Sequence, residues 1–153
     1  MSTHYNGNET EKRVLDTWIK LNRAYNSIGQ HLRRNMEDQG ITMTQFGVLE
    51  ILKHLGPLPL KVIGEKILLS SSNMVTVVDN LEKSGLVVRN KNPQDRRSIL
   101  VTLTSEGKQT IGPVFQNHLI KLLEAFSVLE VEEQIKLGDL CKKLGVNQKY
   151  KEI

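Results

Sequence analysis

Leu58 to Thr104 reads LPLKVIGEKILLSSSNMVTVVDNLEKSGLVVRNKNPQDRRSILVTLT, and the fold turns on how this stretch is divided. Lys61–Leu68 suits a helix of two turns with Val62, Ile63 and Ile67 facing inward. Gly64 inside it costs about 1 kcal/mol against Ala, which fits the close approach of another helix. Leu69-Ser70-Ser71 is a turn, and Ser70 or Ser71 can cap the next helix, because a serine oxygen accepts an N–H left unpaired in the first helical turn. The second helix runs from about Ser72 to Lys83. Met74, Val75, Val78 and Leu81 form its expected buried face at i, i+1, i+4 and i+7, and Gly85 ends it in a left-handed cap. Leu86–Lys91 and Ser98–Leu103 are β-branched and extended in type, joined by the turn-forming Asn92-Pro93-Gln94-Asp95-Arg96-Arg97. Helix, turn, helix and basic-tipped hairpin, in that order, make a winged helix-turn-helix. The fold class is therefore mainly α with a small β-hairpin (α+β).

The flanks look like apparatus for pairing two such units. Residues 1–8 are polar; Asn8 and Glu11 then have capping-box spacing. Val14, Trp18, Leu21, Tyr25, Ile28 and Leu32 come next at steps of 4, 3, 4, 3 and 4, a heptad-like seam. A helix this long cannot bury its whole seam against so small a domain, so a partner chain is expected to cover it. Gly40 stops this helix, and Thr42 with Gln45 opens the next, which bears Phe46, Leu49, Ile51, Leu52 and Leu55. Pro57 and Pro59 bracket a short extended link. Beyond Thr104 a second long amphipathic helix holds Ile111, Phe115, His118, Leu119, Leu122, Phe126 and Leu129. A last helix over Glu130–Leu144 carries Val131, Ile135, Leu140 and Leu144. The expected division is residues 1–39 for pairing, 40–104 for the winged unit and 105–153 for further pairing helices, as one compact domain.

The chain has 153 residues, 39% hydrophobic and 25% charged, with a net charge of +4. That supports one domain with a real core. Nine Lys/Arg stand against six Asp/Glu between Gly40 and Thr110, while the two flanks are nearly balanced, so the positive surplus sits on the winged unit. The single cysteine, Cys141, allows no internal disulfide and points to a reducing compartment. With no signal-like apolar run and no membrane-length segment, a cytoplasmic protein is expected.

The residue types of the second helix suit the edges of DNA bases. Ser70, Ser71, Ser72, Asn73, Thr76 and Asn80 offer hydroxyls and amides, and Val77 could pack on a thymine methyl. Lys61 and Lys66 on the preceding helix suit backbone phosphates, which position a protein without reading sequence. Arg96 and Arg97 at the hairpin tip suit the negative potential of the minor groove. Asp95 is expected to pair with an adjacent arginine and fix its direction. A solvated polar face and two surface arginines are the plainer reading of each residue alone; order and spacing together favour double-stranded DNA.

These same residues resemble the MarR family of bacterial transcription regulators along almost the whole chain. The resemblance lies in Thr42-x-x-Gln45-Phe46-x-x-Leu49, Ser70-Ser71-Ser72 before Val75-Thr76, Val78-Asp79-x-Leu81-Glu82-x-x-Gly85-Leu86-Val87-x-Arg89, and Asp95-Arg96-Arg97-x-x-x-Val101-x-Leu103-Thr104-x-x-Gly107. It implies a homodimer through the first and last two helices, which places Leu122, Phe126, Leu140 and Leu144 beside Val14, Trp18, Leu21 and Tyr25 at the interface. It also implies Ser71–Lys83 as recognition helix and Arg97, supported by Asp95, as the minor-groove wing residue. Repression would be relieved by a small, often phenolic or aromatic effector, or by thiol oxidation. Val77 and Asn80 depart from the pattern, which commonly has basic residues there. Affinity should then lean on the wing and backbone contacts, with an AT-rich operator at the read positions.

The oxidation-sensing branch of that family uses a cysteine in its first helix, which this chain lacks. Cys141, beside Leu140 and Leu144, reads as a buried structural thiol, with Lys142 and Lys143 keeping a redox role open. The four histidines show no metal-ligand spacing, and His31 and His118 are the pair that a folded dimer could bring together. No GxSxG, Walker A or GxGxxG sequence is present, so neither an enzyme nor a cofactor is expected. A ligand cleft would lie where the pairing helices meet the winged unit, but Trp18, Tyr25 and Phe46 near it read as core or dimer seam, leaving the effector contacts unassigned. The rival function is a winged-helix module that binds protein, favoured by the charge-poor second helix and opposed by the wing arginines.

Overall fold

The computed structural model describes residues 4–67, 71–95 and 97–146, with the backbone alone at residues 35, 37, 71, 72 and 146. Asn8 opens α1 (Glu9–Glu37) through a reciprocal capping box. Its side-chain oxygen accepts the Glu11 N–H at 2.9 Å, and the Glu11 carboxylate accepts the Asn8 N–H at 2.9 Å. Past the end of α1, Gly40 adopts φ +70°, and the Ile41 N–H reaches back to the Met36 carbonyl at 3.1 Å. That bond belongs to the left-handed cap in which glycine meets no Cβ penalty. Thr42 and Gln45 then form the second capping box, opening α2 (Met43–Leu55).

α2 lies at the centre, touching α1, β3, α5 and the two helices of the helix-turn-helix, α3 (Leu60–Ile67) and α4 (Ser71–Lys83). Its Phe46, Val48, Leu49 and Leu52 join Ile63, Met74, Val78, Leu81, Val87, Val101, Ile111 and Val114 in one core. Met36, near the end of α1, and Ile41 just beyond it belong to the same cluster, so α1 is anchored to the core at its far end.

The link between the two prolines is more than extended. Leu58–Pro59 forms β1, and the expected hairpin becomes a three-stranded antiparallel sheet of order β1-β3-β2. β3 (Ile99–Leu103) is central: Leu58 faces Val101, and β2 (Val87–Lys91) pairs from Val87 opposite Leu103 to Lys91 opposite Ile99. Pro59 fits because an edge strand tolerates a missing N–H.

α4 differs from expectation in its inward face. Met74, Val78 and Leu81 are buried, but Val75 is 42% exposed, and Val77 is the valine that packs against the core. At 100° per residue, Val77 lies near Leu81 and Met74, whereas Val75 turns away.

Thr104 caps α5 (Ser105–Phe126), and α6 (Val131–Val146) completes the described chain. From Val131 to Gly145 every residue of α6 is exposed in the single chain. Apolar surface is left uncovered on α1 as well, at Val14, Trp18 and Tyr25, the last 72% exposed. Among the described residues no helix is long and apolar enough to cross a membrane.

Candidate nucleic-acid interface

α4 presents a polar strip opposite its buried face. Asn73, Thr76 and Asn80 recur at spacings of three and four, so they align along one side of the helix, and all three are exposed, as is Lys83 at its end. Val77, expected among them, is half-buried toward the core. Ser70 lies outside the described residues, as do the side chains of Ser71 and Ser72. On α3, Lys61 and Lys66 are both exposed, and the Lys61 ammonium stands 4.0 Å from Glu65 in an i,i+4 pair. Such an exposed pair is weak enough to exchange its partner for a phosphate.

The tip of the β2–β3 wing is built by two short polar side chains. The Asn92 side-chain oxygen accepts the Gln94 N–H at 3.0 Å, and the Asp95 carboxylate accepts the Arg97 N–H at 3.0 Å. Backbone bonds from Asn92 to Ser98 and from Ser98 to Asp95 close the loop. Asp95 therefore orients Arg97 through its main chain. A carboxylate–guanidinium pair from Asp95 to Arg97 is not among the described ion pairs, and a pair from Asp95 to Arg96, its other neighbouring arginine, falls outside the described residues. Arg97 is exposed, and Arg96 lies outside the described residues.

What joins helix and wing is Arg89, a residue given no role by the sequence beyond its place in the motif. Its guanidinium bonds the Asp79 carboxylate at 2.6 Å and pairs closely with Glu82, while its backbone N–H donates to the other Glu82 oxygen at 3.0 Å. Partial burial would lower the Arg89 pKa, but the hydrogen bonds to Asp79 and Glu82, reinforced by their charge, outweigh it and raise the value. One arginine thus ties the first residues of the wing to the second half of α4.

A second junction ties α4 to α5. Gly85, at φ +72°, lets its own N–H reach the Glu82 carbonyl and the Leu86 N–H reach that of Leu81, both at 2.9 Å. The Thr104 hydroxyl donates to the Gly85 carbonyl at 2.6 Å and accepts the Gly107 N–H at 2.9 Å. The Leu86 carbonyl comes so close to Gly107 that a Cβ there would collide with it.

On the other side of the core, Phe46 of α2 and His118 of α5 stack with ring centroids 4.5 Å apart. The His118 Nδ1 is buried without a hydrogen-bond partner. Desolvation lowers the His118 pKa, with the charge of Glu50 opposing the shift. Further out, Leu21, Tyr25, Ile28, Leu122 and Phe126 line an open apolar groove of about 390 Å³ between α1, α5 and α6. Cys141 also lines this groove and is exposed. The buried thiol expected from its neighbours is thus corrected: α6 packs no face into the core of its own chain. Among the described residues no three His, Cys, Asp or Glu gather as a metal site.

The helix-turn-helix, its wing and the polar strip of α4 define a winged helix-turn-helix protein. Comparison gives the particular family. The MarR family model matches residues 41–99. The HTH-type transcriptional regulator MhqR of Bacillus subtilis is 39% identical over 140 residues, covering 92% of this chain and 96% of that protein. Sco3205, a MarR family regulator from Streptomyces coelicolor solved in complex with DNA, matches with a TM-score of 0.84 at 23% identity, over 97% of this chain and 94% of that one. BpsR of Bordetella bronchiseptica, studied for regulation of its DNA binding by 6-hydroxynicotinic acid, matches with a TM-score of 0.75 at 24% identity, over 84% and 98% of the two chains. The chain belongs to the MarR family, and it is a DNA-binding transcriptional regulator.

Proposed function

We propose that this protein is a homodimeric cytoplasmic repressor that binds a pseudo-palindromic operator and is released by a small aromatic, phenolic or electrophilic effector. The observation that carries the reading is the exposed strip Asn73–Thr76–Asn80 on a helix ion-paired to the wing that bears Arg97. The strip supplies groups for base edges in the major groove, with Asn suited to adenine. Ser71 and Ser72 begin the same helix, and Ser70 immediately precedes them in sequence. Lys61 and Lys66 contact phosphates, and Arg96 and Arg97 enter the flanking minor groove. The uncovered apolar residues of α1 and α6, with Leu21, Leu122 and Phe126 in the groove between, support pairing of two chains. The two α4 helices then sit one helical turn apart, roughly 34–36 Å. Regulation of BpsR by 6-hydroxynicotinic acid, a hydroxylated aromatic acid, supports the effector class.

Fluorescence anisotropy on a duplex from upstream of the protein's own gene, at two salt concentrations and with or without phenol or benzoquinone, tests the reading. Tight, steeply salt-dependent binding that the effector weakens is expected. A flat salt response or no binding favours a protein-binding module instead. A second mode of release rests on Cys141, exposed in the single chain and lining the same groove. Its thiolate would add to the activated double bond of a quinone, which takes up a proton to become a hydroquinone thioether and would wedge the pairing surface apart. Release by benzoquinone that persists in Cys141→Ser excludes that mode.

A further inference from the structure

Over Ser71–Lys83 the sequence places two carboxylates, Asp79 and Glu82, against one cation, Lys83. A carboxylate at the edge of a groove faces phosphates of its own sign, and like charges brought together weaken association. Asp79 stands three residues from Thr76 and one from Asn80, roughly 60° around the helix axis from Thr76, at the border of the polar strip. It is not deeply buried: its side chain is 45% exposed and that of Glu82 37%. Both carboxylates turn to the guanidinium of Arg89. Arg89 faces Val101 across the sheet, and Glu82 also accepts its backbone N–H, so the residue that carries this cation is anchored on a strand beside α4.

We propose that Arg89 sets DNA affinity as a charge mask, neutralising Asp79 and Glu82 beside the groove-facing strip while contributing no base contact. The inference rests on α4 being the groove helix. It accounts for how a recognition helix with no Lys or Arg before Lys83 avoids repelling its target. Because a mask acts on charge alone, its effect is the same on any duplex and fades as salt rises.

Anisotropy titrations of the full chain on the operator fragment and on a random duplex, at about 50 and about 200 mM salt, test it. The variants are Asp79→Asn, Arg89→Met and the two combined, with an unfolding midpoint recorded for each. Asp79→Asn leaves the Glu82 clamp in place and frees part of the Arg89 charge. It should bind both duplexes about threefold more tightly at low salt and show a steeper salt slope. Arg89→Met should bind both about tenfold more weakly, and adding Asp79→Asn should recover part of that loss. A purely structural ion pair makes the opposite forecast, since Asp79→Asn breaks the same bond. Asp79→Asn binding no tighter than wild type, or tighter on the operator alone, overturns the mask. If Arg89→Met does not fold, the single Asp79→Asn comparison still decides. Wild type that binds no duplex at all removes the groove-helix reading, and the mask with it; wild type that binds, with a weakened Asp79→Asn, removes the mask alone.

Discussion

Gly107 and His118 each hold a position that few other residues could fill, for opposite reasons. At Gly107 the obstruction is backbone: a methyl group would meet the Leu86 carbonyl, which is itself bonded to the Thr104 N–H. Neither side can yield as a flexible side chain would. Gly107→Ala is therefore expected to cost about 3 kcal/mol, read as a lower urea midpoint with an unchanged slope. At His118 the difficulty is charge. The folded pKa lies below the unfolded value because burial penalises the imidazolium, so the unfolded chain binds more protons in the window between the two. Stability from this site is complete above the unfolded value of about 6.5, and is lost as pH falls through the folded pKa. His118→Phe should flatten that part of the stability–pH curve at fixed protein concentration. An unchanged acid slope would assign the dependence to another group.

Between elements, recognition helix and wing should differ in what they contribute. Asn73→Ala or Asn80→Ala is expected to cost about 1–3 kcal/mol on the operator and much less on random DNA, because an amide reads a base edge. Arg97→Ala should weaken binding to both and lower the salt slope by about 1, as loss of one phosphate-directed cation does. Equal losses on both duplexes for the asparagines would sink their assignment to base reading. The elements themselves were legible wherever the signal is local. Both capping boxes, the glycine stops at Gly40 and Gly85 and the order of helix, turn and wing follow from neighbours in the chain. What was illegible depends on distant partners. β1 is two residues long, and its partner strand lies some forty residues on. Val75, Val77 and Val78 are chemically alike, so only the position of the core decides which of them is buried. The Asp95 turn is a local signal as well, since Asp two residues before an N–H marks an Asx turn, whereas its charge points equally to the guanidinium of a neighbouring arginine. Arg89 stood in the motif, yet its bond to two carboxylates seven and ten residues away needed the sheet to be placed against α4.

The whole molecule raises the question of why a single chain leaves so much apolar surface uncovered. Trp18, Leu140 and Leu144 are each at least 50% exposed, on helices flanking the winged unit rather than within it. A dimer through this surface would make the separation of the two α4 helices a fixed property of the protein, which DNA geometry can measure. One helical turn is about 10–10.5 base pairs, so inserting five pairs between half-sites moves one site to the opposite face of the duplex. A rigid dimer then engages only one half, and affinity should fall to that of an isolated half-site. Leu140→Asp combined with Leu144→Asp should produce the same fall on the intact operator, with a monomer mass by light scattering, because two buried carboxylates on a shared seam cannot both be solvated. A spacer insertion that leaves affinity unchanged would mean that each winged unit binds independently. In that case the apolar faces of α1 and α6 must serve something other than holding two recognition helices in register.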